Sequence, residues 1–233
     1  MTARGQTAIG TVASADLWPD AAASVLSFYL DAKSAVLEAG FEWEVWWQET
    51  RDWDAVEESE FLAEGAWVIL NSGFRESVVR RLFPAISSAF CNWVSARSIH
   101  QRRRECREAA LQIFGNQRKV DSILRLAELV TVEGFPKLKA RLGSGGPSGL
   151  TTLPGVGPVT AFHLAKNLGI DVAKPDRHLS RLSARFGFPC VQSFCGMIAQ
   201  HVGDSVAVVD VIMWRFSTLP ESVVIAERLS PPN

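Results

Sequence analysis

Cysteine, tyrosine, methionine and net charge are all scarce in this chain. Four cysteines in 233 residues, Cys91, Cys106, Cys190 and Cys195, are too few and too irregularly spaced for a disulfide framework and suit reduced thiols. Cys190, Cys195 and His201 match no standard zinc-ligand spacing, so no metal site is predicted from them. No apolar run approaches the ~20 residues that span a bilayer. The first residues, MTARGQTAIGTVASADLWPD, lack the apolar stretch of a signal peptide. A cytoplasmic protein without a membrane partner is expected, with residues 1–20 as an N-terminal tail. No internal repeat or low-complexity array is present. What is abundant is tryptophan: eight, against one tyrosine, with Trp43, Trp46, Trp47 and Trp53 close together. Hydrophobic residues make up 47%, enough for a sizeable core in one or two domains.

The net charge of −1 hides a strong segregation. Residues 31–66 hold eleven acids and two bases, residues 75–141 fourteen bases and six acids, and residues 151–190 five bases and two acids. Such an arrangement sets a basic face against an acidic one and suits a polyanionic partner. The densest basic group is Arg97, His100, Arg102, Arg103, Arg104 and Arg107, read as phosphate contacts or as a solvated helix face.

Apolar spacing is helical almost throughout. Helices are predicted over Ala22–Ala39, Glu57–Leu70, Glu76–Phe90, 101–113, 117–131 and 133–142, then a loop over GSGGPSG at 143–149. Further helices follow over Pro158–Leu168, Arg177–Phe186, Gln192–His201 and Ser205–Ser217, the last with Asp204 as its N-cap. One segment resists: Phe41, Trp43, Val45 and Trp47 alternate with Glu42, Glu44, Trp46 and Gln48, a strand period, and read as an irregular segment or an isolated hairpin strand.

Residues 153–178, LPGVGPVTAFHLAKNLGIDVAKPDRH, carry the functional signal. Pro154 fixes one φ angle, while Gly155 and Gly157 tolerate positive φ and have no Cβ. Pro158 suits the first turn of a helix. Backbone N–H groups pointing outward at that helix N-terminus make a phosphate site.

Leu153-Pro154-Gly155-Val156-Gly157 resembles the hairpin of the helix-hairpin-helix DNA glycosylase superfamily. Lys174-Pro175-Asp176-Arg177-His178 resembles that superfamily's catalytic loop. The likeness is strong over this core and looser over 57–217. It implies an all-α fold of two helical lobes with the active-site cleft between them. One lobe is discontinuous, 21–74 with 171–233; the other, 75–170, carries the helix-hairpin-helix at 150–168. It implies double-stranded DNA with a damaged or modified base as partner, bound by a monomer. Some relatives bind an iron–sulfur cluster through four C-terminal cysteines. No cysteine follows Cys195 here, so no cluster and no other cofactor is expected, apart from a monovalent cation at the hairpin when DNA is bound.

The resemblance also distributes roles. Asp176 takes the catalytic position: breaking an N-glycosidic bond builds positive charge on the sugar, and a fixed carboxylate stabilises it and orients water. Its other reading is an N-cap for the 177–186 helix, and both roles are compatible. Gly155, Val156, Gly157 and Thr160 of the hairpin, with Lys174, His178 and Arg75, are expected on DNA. A duplex base must be everted before a pocket reads it. Asn71 and Phe74, in the string AWVILNSGFR, are the candidates for gap filling or base reading, with Trp214 and Asp210 of VVDVIMWRF as late-helix candidates for the pocket. Asp210 interrupts an apolar run and is therefore paired or functional. Relatives that also cleave the strand carry a lysine nucleophile where this chain has Val159. A monofunctional enzyme is expected, leaving an abasic site in repair, or in defence against phage DNA with glucosylated hydroxymethylcytosine. The alternatives are a non-catalytic DNA-binding protein, or a glycosylase-lyase using a lysine from elsewhere.

Overall fold

The computed structural model describes residues 18–219 and is all-helical there, with no strand. The tail expected over 1–20 lies outside the described residues but for its last three, which already belong to a helix. The helices are α1 (Trp18–Glu38), α2 (Glu42–Glu49), α3 (Glu58–Asn71), α4 (Glu76–Ala89), α5 (Ala96–Gln101), α6 (Arg103–Ile113), α7 (Gln117–Glu133) and α8 (Phe135–Leu150). They continue with α9 (Pro158–Asn167), α10 (Arg177–Arg185), α11 (Val191–Val202) and α12 (Val206–Phe216). No single helix is long and apolar enough to cross a membrane.

Local sequence accounts for most boundaries. In α7 the apolar residues Val120, Ile123, Leu124, Ala127 and Val130 recur every three or four positions and are buried. Asn116 caps it, accepting the Lys119 N–H at 3.2 Å, and Gly134 ends it at φ +82°.

Three expectations about individual elements change. The segment 143–149 is not a loop. It is helical within α8, broken only at Gly146 (φ +51°, ψ −147°), because Pro147 suits the opening of a new helical turn. The N-cap of α12 is Ser205, whose Oγ accepts the Val208 N–H at 3.1 Å. Asp204 instead holds Lys33 and the Tyr29 hydroxyl, tying α1 to the start of α12. The alternating segment 41–48 is helical, as α2, and it buries Glu44 and Gln48 rather than its tryptophans.

The apolar side chains form two clusters. The first runs from Val56 to Leu168 and includes α3 to α9. The second joins Val25, Phe28, Tyr29, Ala32 and Val36 of α1 to Ala173 and the apolar faces of α10, α11 and α12. The lobe boundary expected at 74/75 falls inside the first cluster. The reason is α3: Phe61, Leu62, Ala66, Val68, Ile69 and Leu70 cover most of its circumference, and it packs on α7 and α9. The short α2 packs on α12 and stands between the clusters.

Candidate active site

A cavity of about 760 Å³ opens where the two clusters face each other. Its walls come from α2 (Trp43, Glu44, Trp47, Gln48), α3 (Glu64, Trp67, Asn71), α4 (Glu76, Arg80, Phe83), α9 (His163, Lys166, Asn167) and α12 (Asp210, Val211, Trp214, Arg215). Gly73, Phe74 and Arg75, with Lys174 and Arg177, complete it.

Its floor is ionic. Lys166 of α9 and Asp210 of α12, both buried, form an ion pair. The second oxygen of Asp210 accepts the backbone N–H of Lys174 at 2.6 Å, and the carbonyl of Lys166 accepts from Gln48 Nε2 at 2.9 Å. Both oxygens of Asp210 are thus bonded, which offsets part of the cost of burying the charged pair. Asp210 thus resolves as a paired residue that also lines the cavity.

The connection from α9 to α10 is pinned on both sides. Gly169, at φ +88°, lies against the backbone of Asp52 and Trp53, where a Cβ would come within 2.6 Å of two main-chain nitrogens. Ala173 N–H donates to Gln192 Oε1 at 3.0 Å. The segment ends at Asp176, whose Oδ1 accepts the N–H groups of His178 (2.9 Å) and Leu179 (3.1 Å) and so caps α10. Among the described residues Oδ2 of Asp176 accepts no hydrogen bond. Asp176 and His178 are half-buried and lie beside the cavity rather than in its wall; Nε2 of His178 faces Nε of Arg177 at 3.3 Å.

The turn before α9 also departs from expectation in one respect. Gly155 is left-handed (φ +78°), and a Cβ there would meet Ser122 Cβ at 2.7 Å. Gly157 is not left-handed: it is the extended N-cap of α9 (φ −90°, ψ 177°), and a Cβ there would meet nothing within 4 Å. Val156 is buried, Gly155 is exposed and Thr160 is half-exposed; none of the three lines the cavity. Val159, 45% exposed, stands one turn before His163 on the face that continues to Lys166 and Asn167, and so looks toward the cavity mouth.

Nearly every carboxylate of the walls is matched. Glu44, from the acidic segment, points into the cavity and takes a two-pronged grip from Arg215, with Nε to Oε2 at 2.9 Å. Glu64 accepts from Asn167 Nδ2 at 2.8 Å; burial pushes its carboxyl above the usual range against the pull of Asn167 and Arg51. His163 and the ammonium of Lys174 take no hydrogen bond among the described residues. Desolvation, then the charges of Lys174 and Lys166, keep the His163 imidazole well below its usual range and hence neutral. Lys174 is lowered by burial and then by Lys166, with Asp176 and Asp210 acting the other way.

The rim between α3 and α4 carries the other predicted residues. Lys119 reaches from α7 to the Ile69 and Ser72 carbonyls, the latter at 2.7 Å, and so satisfies the end of α3. Phe74 is 44% exposed, packs on Phe114 with ring centres 5.0 Å apart, and lies under Lys119. Arg75 is exposed at the start of α4. Asn71 Nδ2 donates to the Trp67 carbonyl at 3.0 Å, whereas its Oδ1 is buried with no partner.

The fold therefore gathers Asn71, Phe74, Arg75, Lys174, Asp210 and Trp214 around one cavity, with Asp176 and His178 at its edge and Gly155, Val156, Gly157 and Thr160 outside it. Of the two readings of the arginine cluster, Arg102, Arg103, Arg104 and Arg107 fit the solvated helix face, where they pair with Glu105, Glu128, Glu108 and Asp121. Sequence reading missed Glu44, Glu64, Arg80, His163 and Asn167. Glu64 carried a signal, as a lone acid inside the apolar string FLAEGAWVIL. Among the described residues no group of three or more His, Cys, Asp or Glu side chains is arranged to hold a metal ion. Comparison with models of known protein families, with curated proteins and with solved structures finds no match for this chain.

Proposed function

We propose that this chain is a monofunctional DNA glycosylase of the helix-hairpin-helix type, a monomer that everts a damaged or modified base from duplex DNA and hydrolyses its N-glycosidic bond. The two hydrophobic clusters are then its two lobes, and the turn 151–157 its DNA-docking hairpin. The observation that carries this reading is the connection from α9 to α10. It runs from a helix opened by a Pro-Gly-x-Gly turn to Asp176, and is fixed to the cavity floor by Asp210 two residues before that acid.

In this reading, exposed N–H groups at the N-terminus of α9 take a backbone phosphate. The main-chain oxygens of Gly155 and Val156 accept no hydrogen bond among the described residues. They would serve a monovalent cation bridging the hairpin to that phosphate. Phe74 and Asn71 meet the gap and the everted base. Asp176, held by two main-chain donors on Oδ1, keeps Oδ2 for the positive charge that develops at C1′ and for the attacking water. Val159 leaves no amine at the position used by strand-cleaving relatives.

A specific observation favours a second reading. The Lys174 ammonium lines the cavity unpaired and is lowered by burial, as a nucleophilic amine would be. That reading makes the chain a glycosylase-lyase. The test of the main proposal is to incubate the protein with duplexes carrying single modified bases, and with phage DNA containing glucosylated hydroxymethylcytosine, and to assay abasic sites and free base. The repair and defence roles separate on which DNA is attacked. Binding without base release from any of them would leave a docking protein.

A further inference from the structure

The aromatic walls of the cavity are already occupied by the protein's own cations. The Arg80 guanidinium lies 5.7 Å from the Trp43 ring centre and 5.6 Å from that of Trp67. Arg51 lies 4.9 Å from Trp47, and Arg215 4.8 Å from Trp214. All four indoles line the cavity. The electron-rich face of an indole is what grips a cationic ligand. Here each indole has a guanidinium over it, so one face is taken, and a second cation stacked on the other face would be repelled by the first across the ring.

The charges of the wall point the same way. Its four carboxylates are held: Glu44 by Arg215, Asp210 by Lys166, Glu76 by Arg80 and Glu64 by the amide of Asn167. The six basic side chains outnumber them, and the Lys174 ammonium has no carboxylate partner. A cationic ligand therefore meets no free negative charge in the walls. Asn71 of the wall instead carries one acceptor without a partner. The Trp67 carbonyl can only accept, so the Asn71 amide must turn its NH₂ toward it, and this fixes Oδ1 as the atom left over. A buried acceptor without a partner is costly, and a ligand N–H or O–H satisfies it.

We propose that the cavity takes a neutral base that donates a hydrogen bond to Asn71 Oδ1, and that it rejects N-alkylated purines and pyrimidines that carry a positive charge. The inference rests on the glycosylase reading, and it removes one major class of lesion from that enzyme's substrates.

The experiment measures the affinity of the full chain for short duplexes with one central base left unpaired opposite an abasic site. Two pairs introduce the charge with one methyl group, adenine against 1-methyladenine and cytosine against 3-methylcytosine, and the neutral N6-methyladenine and 5-methylcytosine control for the added bulk. In at least one pair the neutral base should bind tenfold or more tighter than its methylated cation. Asn71→Leu should weaken the neutral complex at least fivefold. Arg80→Met, at a half-exposed surface position, opens one face each of Trp43 and Trp67 and should narrow the gap between neutral and cationic bases. Cationic bases bound as tightly as their parents in both pairs, or a gap unmoved by both variants, would overturn the inference. No excision is read, so the outcome is independent of whether the chain is a glycosylase. Release of 3-methyladenine or 7-methylguanine from methylated DNA would instead uphold the glycosylase reading and refute this one.

Discussion

Asp210 of α12 is locked to Lys166 of α9 across the floor of the cavity, at only 1% exposure, and with its other oxygen it holds the Lys174 N–H that leads into Asp176. One carboxylate thus joins the two hydrophobic clusters and sets the start of the Asp176 loop. Asp210→Ala leaves a buried ammonium unpaired and should cost about 3–5 kcal/mol of stability by urea unfolding. Lys166→Met combined with Asp210→Leu removes both charges and should recover most of that stability. It should not recover excision, because the Lys174 N–H still lacks its acceptor. A loss below about 1 kcal/mol in the single variant would mean that the pair is solvated.

The two glycines of the turn before α9 should separate folding from DNA affinity. Gly155→Ala forces a side chain into a left-handed position against Ser122 and should lower stability by about 1–3 kcal/mol. Gly157→Ala meets open space and should leave unfolding unchanged. If that surface docks on a phosphate, Gly157→Ala weakens binding to duplexes of every sequence alike, and binding by the natural chain falls steeply with salt. Unchanged affinity in Gly157→Ala would remove the docking role.

Much of this was legible in the sequence where inward residues are apolar. The helices α3, α4, α6, α7, α9 and α10 follow from three- and four-residue apolar spacing, and Asp176 reads as an N-cap from its position alone. The helix α2 does not, because its pattern is inverted. Glu44 and Gln48 point inward to Arg215 and to the Lys166 carbonyl, while Trp43 and Trp46 are 53% and 64% exposed. Partners 118 and 171 residues away make that inversion stable, and no local window contains them. The arginine cluster left two readings open for a related reason. Asp121 and Glu128, which neutralise Arg107 and Arg103, come from the next helix. His163 was hidden because a lone histidine in a helix carries no pattern; the fold brings Lys174 to it, beside Lys166 of its own helix.

Val159 bears on the product. On a duplex with a preformed abasic site, borohydride should trap no covalent adduct with the natural chain, since trapping needs an imine between an amine and the opened sugar. Val159→Lys, at a 45% exposed position one turn before His163 on α9, should gain a trapped adduct. An adduct with the natural chain that disappears in Lys174→Ala would move the protein to the strand-cleaving branch.

Glu64 gives the pH test. Its carboxyl is raised in the folded state, chiefly by burial, so between the unfolded and folded pKa values the native protein holds more protons than the unfolded chain. Stability therefore falls as pH rises through that window, and the full penalty persists above it. Glu64→Gln keeps an acceptor for Asn167 and removes the charge. It should be more stable than the natural chain at about pH 7, with the difference closing toward about pH 4, where carboxylates protonate in both states. Urea midpoints across that range check this; a gap that stays constant with pH would show that Glu64 is ionised without penalty.

The most direct measurement is single-turnover base release by Asp176→Asn. Asparagine caps a helix as well as aspartate does, so α10 and the fold should be retained. The charge proposed to face the sugar is lost. On whichever modified duplex the natural chain depurinates or depyrimidinates, release by the variant should be slower by about 10²–10³-fold or more, on the scale of removing one key electrostatic group. Duplex affinity should stay within a few-fold. Equal rates of base release by the two proteins would contradict the assignment of Asp176 as the catalytic residue.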